Sequence, residues 1–146
     1  MLVLVLAVLL PALPLSPMSQ AQTPLPAVRT VVKGQTSETD APRQAAVRSA
    51  AEWSALWKTH DPSGQSPPAV DFSREMVVAV FLGSRPTAGY EVEIVRAVGN
   101  GGTLLVEYVE TGPSRDAITA QVLTAPYHLA AIPKHDGEVR FQKVVK

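Results

Sequence analysis

The chain has 146 residues, with 13 basic and 13 acidic side chains, and no cysteine. Phosphate recognition needs clustered Lys and Arg, and the basic residues here are scattered, so the charge does not favour nucleic acid or an anionic membrane surface. Without cysteine there can be no disulfide, no thiolate nucleophile and no cysteine-ligated zinc site. The length predicts one modest domain whose stability depends on its apolar core.

The first 21 residues follow the order of segments in a secretory signal peptide. An unbroken apolar run over residues 2–10 precedes a proline-containing stretch and small residues that end at Ala21. The run is too short to span a bilayer as a helix, so we expect cleavage after Ala21, with no membrane span left afterwards. An uncleaved membrane anchor is the alternative. We therefore expect an exported protein, in the periplasm, the cell envelope or the medium.

One convincing helix is predicted to begin after Ser49. Ser49 and Glu52 have the spacing of a capping box, in which each side chain bonds a backbone N–H near the other residue. Trp53, Leu56 and Trp57 follow at the spacing that places all three on one helical face. Such a face is usually core, so we expect this helix to pack on a sheet. The alternative is an exposed aromatic platform for sugar or peptide.

The rest of the chain predicts strands. Residues 22–42 are rich in Thr, Pro, Ser and Gln, which favours a flexible leader with one short strand near residues 27–33. After the leader, β-branched and alternating apolar residues favour further strands, and residues 76–82 are apolar on both faces, as in a strand covered on both sides. The further strands are predicted at residues 44–48, 76–82, 90–94, 103–110, 118–132 and 139–141.

The connections between these strands indicate the fold class. Glycines and Asn100 at residues 99–102 predict a tight hairpin, and Pro126 predicts a bulge or a sheet edge because proline cannot donate to a ladder. Consecutive hairpins imply a mostly antiparallel sheet of about six or seven strands, with one N-terminal helix packed on it. Residues 43–146 are therefore predicted to form an α+β domain.

The sequence shows no catalytic constellation. It has no Gly-x-Ser-x-Gly elbow, and the paired glutamates alternate with apolar residues on strands, as expected for solvated faces. His60, His128 and His135 are far apart and form no metal-ligand pair. We therefore expect no enzymatic activity, no cofactor and no metal. The alternative is a carrier or hydrolase site lined by His128, His135 and Asp136.

The loop at residues 83–90 is the most informative polar segment. Gly83 and Gly89 allow backbone angles closed to other residues, Pro86 stiffens the loop, and Arg85 and Thr87 offer donors at its tip. A preorganised loop loses little entropy on meeting a partner. The alternative is a structural turn whose polar groups bond the local backbone. The predicted partner-binding residues are Arg85, Pro86, Thr87, Gly89, Tyr90, Tyr127 and His128.

Several blocks between Trp53 and Ile132 resemble the PrcB C-terminal family in order and spacing. The blocks are Trp53 with Leu56-Trp57, Val70-Asp71-Phe72, residues 76–83, Arg85-Pro86-Thr87-Ala88-Gly89-Tyr90 and Thr124-Ala125-Pro126-Tyr127-His128-Leu129. The family usually has glycine where this chain has Ala88, so we expect that Ala88 does not need a glycine-only backbone angle.

The resemblance implies a small exported subunit that associates with and stabilises a secreted subtilisin-like protease, and it brings no catalytic residues. Our leading interpretation is an exported, non-enzymatic binding or stabilising module that presents residues 85–90 and the neighbouring Tyr127 and His128. The alternative is a protease inhibitor, because Pro-Thr-x-Gly-Tyr resembles a binding loop of chagasin-type cysteine protease inhibitors. Those inhibitors are immunoglobulin-like β proteins, and the helix around Trp53 does not fit that fold.

Overall fold

The computed structural model describes residues 27–146, so the predicted signal peptide and its cleavage site lie outside the described residues. The elements are β1 (Arg29–Gly34), β2 (Arg43–Val47), α1 (Ala50–His60), β3 (Glu75–Phe81), β4 (Glu91–Asn100), β5 (Thr103–Thr111), β6 (Tyr127–Pro133) and β7 (Val139–Lys143). Within residues 27–146, one helix and seven mostly antiparallel strands confirm the predicted α+β class. No helix in this part of the chain is long and apolar enough to cross a membrane.

The strands form two sheets. The first sheet has the order β1-β6-β3-β2 and is antiparallel throughout. The second sheet has the order β4-β5-β7, in which β4 and β5 form the predicted hairpin and β7 runs parallel to β5. Because β6 lies in the first sheet, the chain crosses between the sheets before β7.

The domain has three layers, and the first sheet is the middle one. Met76, Val78 and Val80 of β3 face the second sheet, whereas Val77 and Ala79 face α1. Both faces of β3 are therefore buried, which is the physical reason for its continuous apolar sequence. The same holds for β6, whose side chains alternate between the two cores.

Helix α1 is capped and oriented much as its sequence indicates. The Ser49 side chain accepts a 3.2 Å hydrogen bond from the Glu52 N–H. The Glu52 carboxylate accepts from the Arg48 N–H at 2.8 Å, one residue earlier than in the predicted capping box. Trp53 and Trp57 are only 3% and 7% exposed, so the exposed aromatic platform is contradicted. Both tryptophans belong to the core between α1 and the first sheet.

Two boundaries differ from those predicted. The strand predicted for residues 118–132 begins only at Tyr127, and Pro126 lies just before it, where its carbonyl accepts a 2.9 Å hydrogen bond from the Leu82 N–H. Pro126 therefore needs no bulge. Near the N-terminal end of the described chain, β1 pairs with β6, so residues 29–34 belong to the domain. The domain therefore begins before the predicted boundary at residue 43.

Candidate protein-binding site

The loop at residues 83–90 begins with a glycine that the packing requires. Gly83 has a φ of 74°, and a Cβ there would lie 2.6 Å from the backbone oxygen of Asp40. Ser84 donates its N–H to the same oxygen at 2.8 Å. The loop is therefore held against the connection between β1 and β2.

Arg85 is engaged within the domain through its backbone and its side chain. Its N–H donates to the Thr124 carbonyl at 2.7 Å, and the Thr124 N–H donates back to the Arg85 carbonyl at 3.0 Å. Its guanidinium pairs with the Glu110 carboxylate at 3.0 Å and lies 5.7 Å from the centre of the Tyr90 ring. These contacts hold the arginine in place, so it is not a free donor at the tip of the loop.

The polar groups of Thr87 and Ala88 also find hydrogen-bond partners within the domain. The Thr87 hydroxyl donates to the Ala88 carbonyl at 2.9 Å, and the Thr124 hydroxyl donates to the Thr87 carbonyl at 2.9 Å. The Ala88 N–H donates to the carbonyl of Ala120 at 3.0 Å. Ala88 has a negative φ, as expected from its departure from the family pattern, and the positive φ of 94° falls on Gly89.

Residues 85–90 and residues 113–124 thus form one unit, called here the paired loops. Pro86 and Gly89 are exposed on it. So are three apolar side chains of the second segment: Ile118 is fully exposed, Leu123 is 79% exposed and Val122 is 53% exposed. They were expected to lie in the strand predicted at residues 118–132, so their place in an exposed loop was missed. The paired loops are joined by backbone hydrogen bonds, and they expose these apolar side chains together with the polar residues Arg115, Asp116 and Gln121.

Tyr127 and His128 do not join the paired loops at the surface. They are 9% and 2% exposed, so both side chains are largely enclosed in this structure. His128 lies between the sheets, where its Nδ1 accepts from the Ile94 N–H at 2.8 Å and its Nε2 lies 2.9 Å from the Thr30 hydroxyl. Burial, with the nearby Lys33 charge as a lesser cause, lowers the pKa of His128 to about 4. The ring is neutral at pH 7, and Nε2–H is the donor to Thr30.

A second histidine makes a contact that the sequence did not suggest. The Nδ1 atom of His60 lies 2.9 Å from the Ser37 hydroxyl, and the Thr39 N–H donates to that hydroxyl oxygen at 3.1 Å. The His60 ring packs edge-on against Tyr127, with 4.2 Å between ring centres. Burial lowers the pKa of His60, which favours the uncharged form of the ring. Catalytic Ser–His pairs need a third group to orient the base, and within residues 27–146 no carboxylate bonds this imidazole.

The alternative carrier or hydrolase site, predicted to be lined by His128, His135 and Asp136, is not formed. His128 is enclosed between the sheets, whereas His135 lies in the turn before β7, where its Nδ1 accepts from the Gly137 N–H at 3.1 Å. The Asp136 side chain is exposed. In the part of the chain that the structure describes, no cluster of His, Asp or Glu side chains could hold a metal ion.

These features define a small three-layered α+β domain whose distinctive surface is a pair of mutually bonded loops. Residues 76–133 match the family model described as PrcB C-terminal, which confirms the predicted resemblance over that segment. The match begins at β3, includes both of the paired loops and ends with β6, and it does not extend to α1. Comparison with curated proteins and with solved structures gave no match.

Proposed function

We propose that this protein is an exported, non-catalytic subunit that binds and stabilises another protein, and that its partner is a secreted or envelope protease. The PrcB C-terminal match supports a role in a protease complex. The signal-like N-terminal sequence supports export. The paired loops are the proposed contact surface.

The observation that carries this proposal is the exposure of Ile118, Val122 and Leu123 on the paired loops. Large apolar side chains grouped at a surface are typical of interaction sites. Their burial against a partner would contribute about 25 cal/mol for each Å² of apolar area. The hydrogen bonds between the two loops hold the backbone before binding, which reduces the entropy lost on association.

The roles of the predicted site residues are redistributed in this proposal. Pro86 and Gly89 are exposed and can touch a partner directly. Arg85 and Thr87 act as positioning residues, because their bonds to Glu110 and to the backbone set the shape of the loop. Tyr127 and His128 contribute to the packing of the core and not to the contact surface.

A pull-down from the native envelope and secreted fractions tests the proposal. The wild-type protein should recover a protease, and a variant with Ile118→Asp and Leu123→Asp should recover little of it. Val145→Asp is the matched control, because Val145 is also almost fully exposed but lies beyond β7. Equal recovery by all three proteins would remove the paired loops from the contact. Failure of the wild type to recover any protease would reject the accessory role.

The inhibitor alternative is tested with the same material. Pro86 and Gly89, the exposed residues of the Pro-Thr-x-Gly-Tyr motif, favour it, whereas the bonds of Arg85 and Ala88 to residues 120–124 give little support for a freely projecting wedge. A stabilising subunit should leave the recovered protease active and slow its thermal inactivation. An inhibitor should instead suppress peptide cleavage by serine or cysteine proteases at micromolar concentration.

A further inference from the structure

An open cavity of about 640 Å³ lies beside the last turn of α1. Its lining comes from the end of β1 and the connection after it, from the end of α1 with the loop that follows, and from Tyr127 at the start of β6. The Glu38 N–H donates to the His60 carbonyl at 3.0 Å, and the Trp57 indole N–H donates to the Gln65 carbonyl at 3.1 Å. These bonds join the lining segments, so the cavity is a built part of the fold.

Three aromatic rings border this cavity. Trp57, His60 and Tyr127 are 7%, 5% and 9% exposed, and the Trp57 and His60 rings meet edge to face with 5.2 Å between their centres. The Tyr127 hydroxyl and the Nε2 atom of His60 make no hydrogen bond within residues 27–146. Polar groups of residues that are nine-tenths buried usually have a partner. These two therefore remain available to a ligand at the cavity wall.

The charges on the cavity lining are all negative. Glu38 and Asp61 contribute carboxylates, and the described part of the lining contains no Lys or Arg. Neither carboxylate forms an ion pair within residues 27–146. Hydrogen bonds from Ser63 lower the pKa of Asp61, so that group is ionised at neutral pH, and burial lowers the pKa of His60, which favours the uncharged ring. The cavity therefore combines aromatic rings with two negative charges that no cation of the described chain neutralises.

The cavity and the paired loops lie at the same end of the first sheet. β1 ends at Gly34 and β3 ends at Phe81, and both of these residues pair with Tyr127. The paired loops follow β3 and precede β6, whereas the cavity lies next to the end of β1. The Ala125 N–H donates to the Gln35 carbonyl at 2.7 Å and links the two regions. A partner that covers the paired loops can therefore reach the cavity as well.

We propose that this cavity receives a basic side chain of the partner protein, and that arginine suits it best. A guanidinium group binds carboxylates through a planar fork of N–H donors and also stacks on aromatic rings. Glu38 and Asp61 would accept from these donors, and the aliphatic part of the side chain would contact the rings. This inference rests on the proposed function in requiring a protein partner, and it adds a second contact beside the paired loops.

A titration of the ¹⁵N-labelled protein with two short peptides, followed by NMR, tests the cavity. The probe is acetyl-Gly-Arg-Gly-amide, and its matched control has citrulline, which keeps nearly the same shape without the charge. The arginine peptide should shift the indole N–H signal of Trp57 and bind at least about fivefold more tightly than the citrulline peptide. The Trp53 indole, which donates to the Pro68 carbonyl at 2.9 Å and does not line the cavity, should shift less.

Variants with equal changes in net charge separate the cavity from general electrostatic attraction. Glu38→Gln with Asp61→Asn removes both carboxylates of the lining and keeps an acceptor for the Ser63 N–H. It should weaken the arginine peptide about tenfold or more. Glu91→Gln with Asp136→Asn removes two exposed carboxylates outside the cavity, and binding should be unchanged. Thermal melts by circular dichroism should show both variants folded.

An unmoved Trp57 indole signal, or equal binding of the arginine and citrulline peptides, would overturn the proposal. So would equal losses in the two double variants. A shift of the Trp57 signal by a neutral disaccharide such as maltose, without one by the arginine peptide, would assign the cavity to a sugar and reject the basic side chain.

The same variants connect the cavity with the protease partner. In the pull-down, Glu38→Gln with Asp61→Asn should recover less protease than Glu91→Gln with Asp136→Asn. Unchanged recovery by a cavity variant that has lost peptide binding would leave the proposed function intact and reject the cavity as its contact. Binding of the arginine peptide by a protein that recovers no protease would retain the cavity and reject the protease partner.

Discussion

The Nδ1 atom of His128 accepts a 2.8 Å hydrogen bond from the backbone N–H of Ile94. His128 lies in β6 of the first sheet and Ile94 in β4 of the second, at the position where the register of β4 shifts. The bond therefore joins the two sheets beside the register shift of β4, where the N–H of Ile94 is directed at the histidine.

This buried histidine predicts a loss of stability in acid. The pKa of His128 is about 4 in the folded protein, below the ordinary value of 6.5, so the unfolded chain binds more protons between these two pH values. The free energy of unfolding should therefore fall as the pH drops through that window, by up to about 3 kcal/mol. The lowered pKa of His60 acts in the same direction. Urea denaturation at pH 7, 5.5 and 4 measures the effect.

His128→Gln provides the control for this prediction. It should be less stable than the wild type at pH 7, because a buried bond between the sheets is altered, but its stability should depend less on pH. A wild-type stability that stays level from pH 7 to pH 4 would contradict the assignment of a neutral, buried His128.

Gly83→Ala should destabilise the domain by about 2 kcal/mol or more, for two reasons. The backbone of residue 83 has a positive φ, which alanine adopts only with strain, and the new Cβ would lie 2.6 Å from the backbone oxygen of Asp40. Gly64→Ala is the matched control, since Gly64 also has a positive φ of 88° but has open space around it. That variant should lose only about 1 kcal/mol. Chemical denaturation compares the two, and equal losses would show that the contact with Asp40 has no effect.

Thr124→Val should loosen the paired loops. The change removes the hydroxyl that donates to the Thr87 carbonyl and leaves that acceptor without its partner, at a cost of about 1–2 kcal/mol. The Ala88 amide, which donates to Ala120, should then exchange its hydrogen faster. Thr111→Val, at an exposed position at the end of β5, is the control. Unchanged exchange at Ala88 would show that the two loops are held together by other contacts.

Ser49→Ala should reduce stability by about 1 kcal/mol, because the Glu52 N–H loses its capping acceptor at the start of α1. Ser54→Ala, inside the same helix, should be neutral or slightly stabilising because alanine has the higher helix propensity. Thermal melts of the two variants check the difference. A larger loss for Ser54→Ala would contradict the assigned helix start.

Periodicity and local turn chemistry predicted much of the architecture. Three apolar residues on one face of α1 predicted its packing on a sheet, and the continuous apolar run of β3 predicted burial on both faces. The hairpin between β4 and β5 followed from its glycines, and Gly101 and Gly102 indeed have positive φ values of 58° and 88°. His128 lies on the same face of β6 as the buried residues Ala130 and Ile132, so the period of two along the strand already contained a signal of its burial.

The candidate site was less predictable because its contacts join distant parts of the chain. Residues 85–90 were identified as a rigid loop, but their bonds to Ala120 and Thr124 depend on a segment that has no strand or helix period of its own. The exposure of Ile118 and Leu123 follows from the same arrangement, since an apolar residue in an irregular segment is buried only if the tertiary fold covers it.

The amino-acid sequence by itself determined the helix face, the doubly buried strand and the tight turns, because those features depend on residues within a few positions of one another. Only the tertiary structure decided the division into two sheets and the parallel pairing of β5 with β7. Those features depend on which distant segments meet. That choice is made by the packing of the whole core, in which many alternative pairings of similar strands compete.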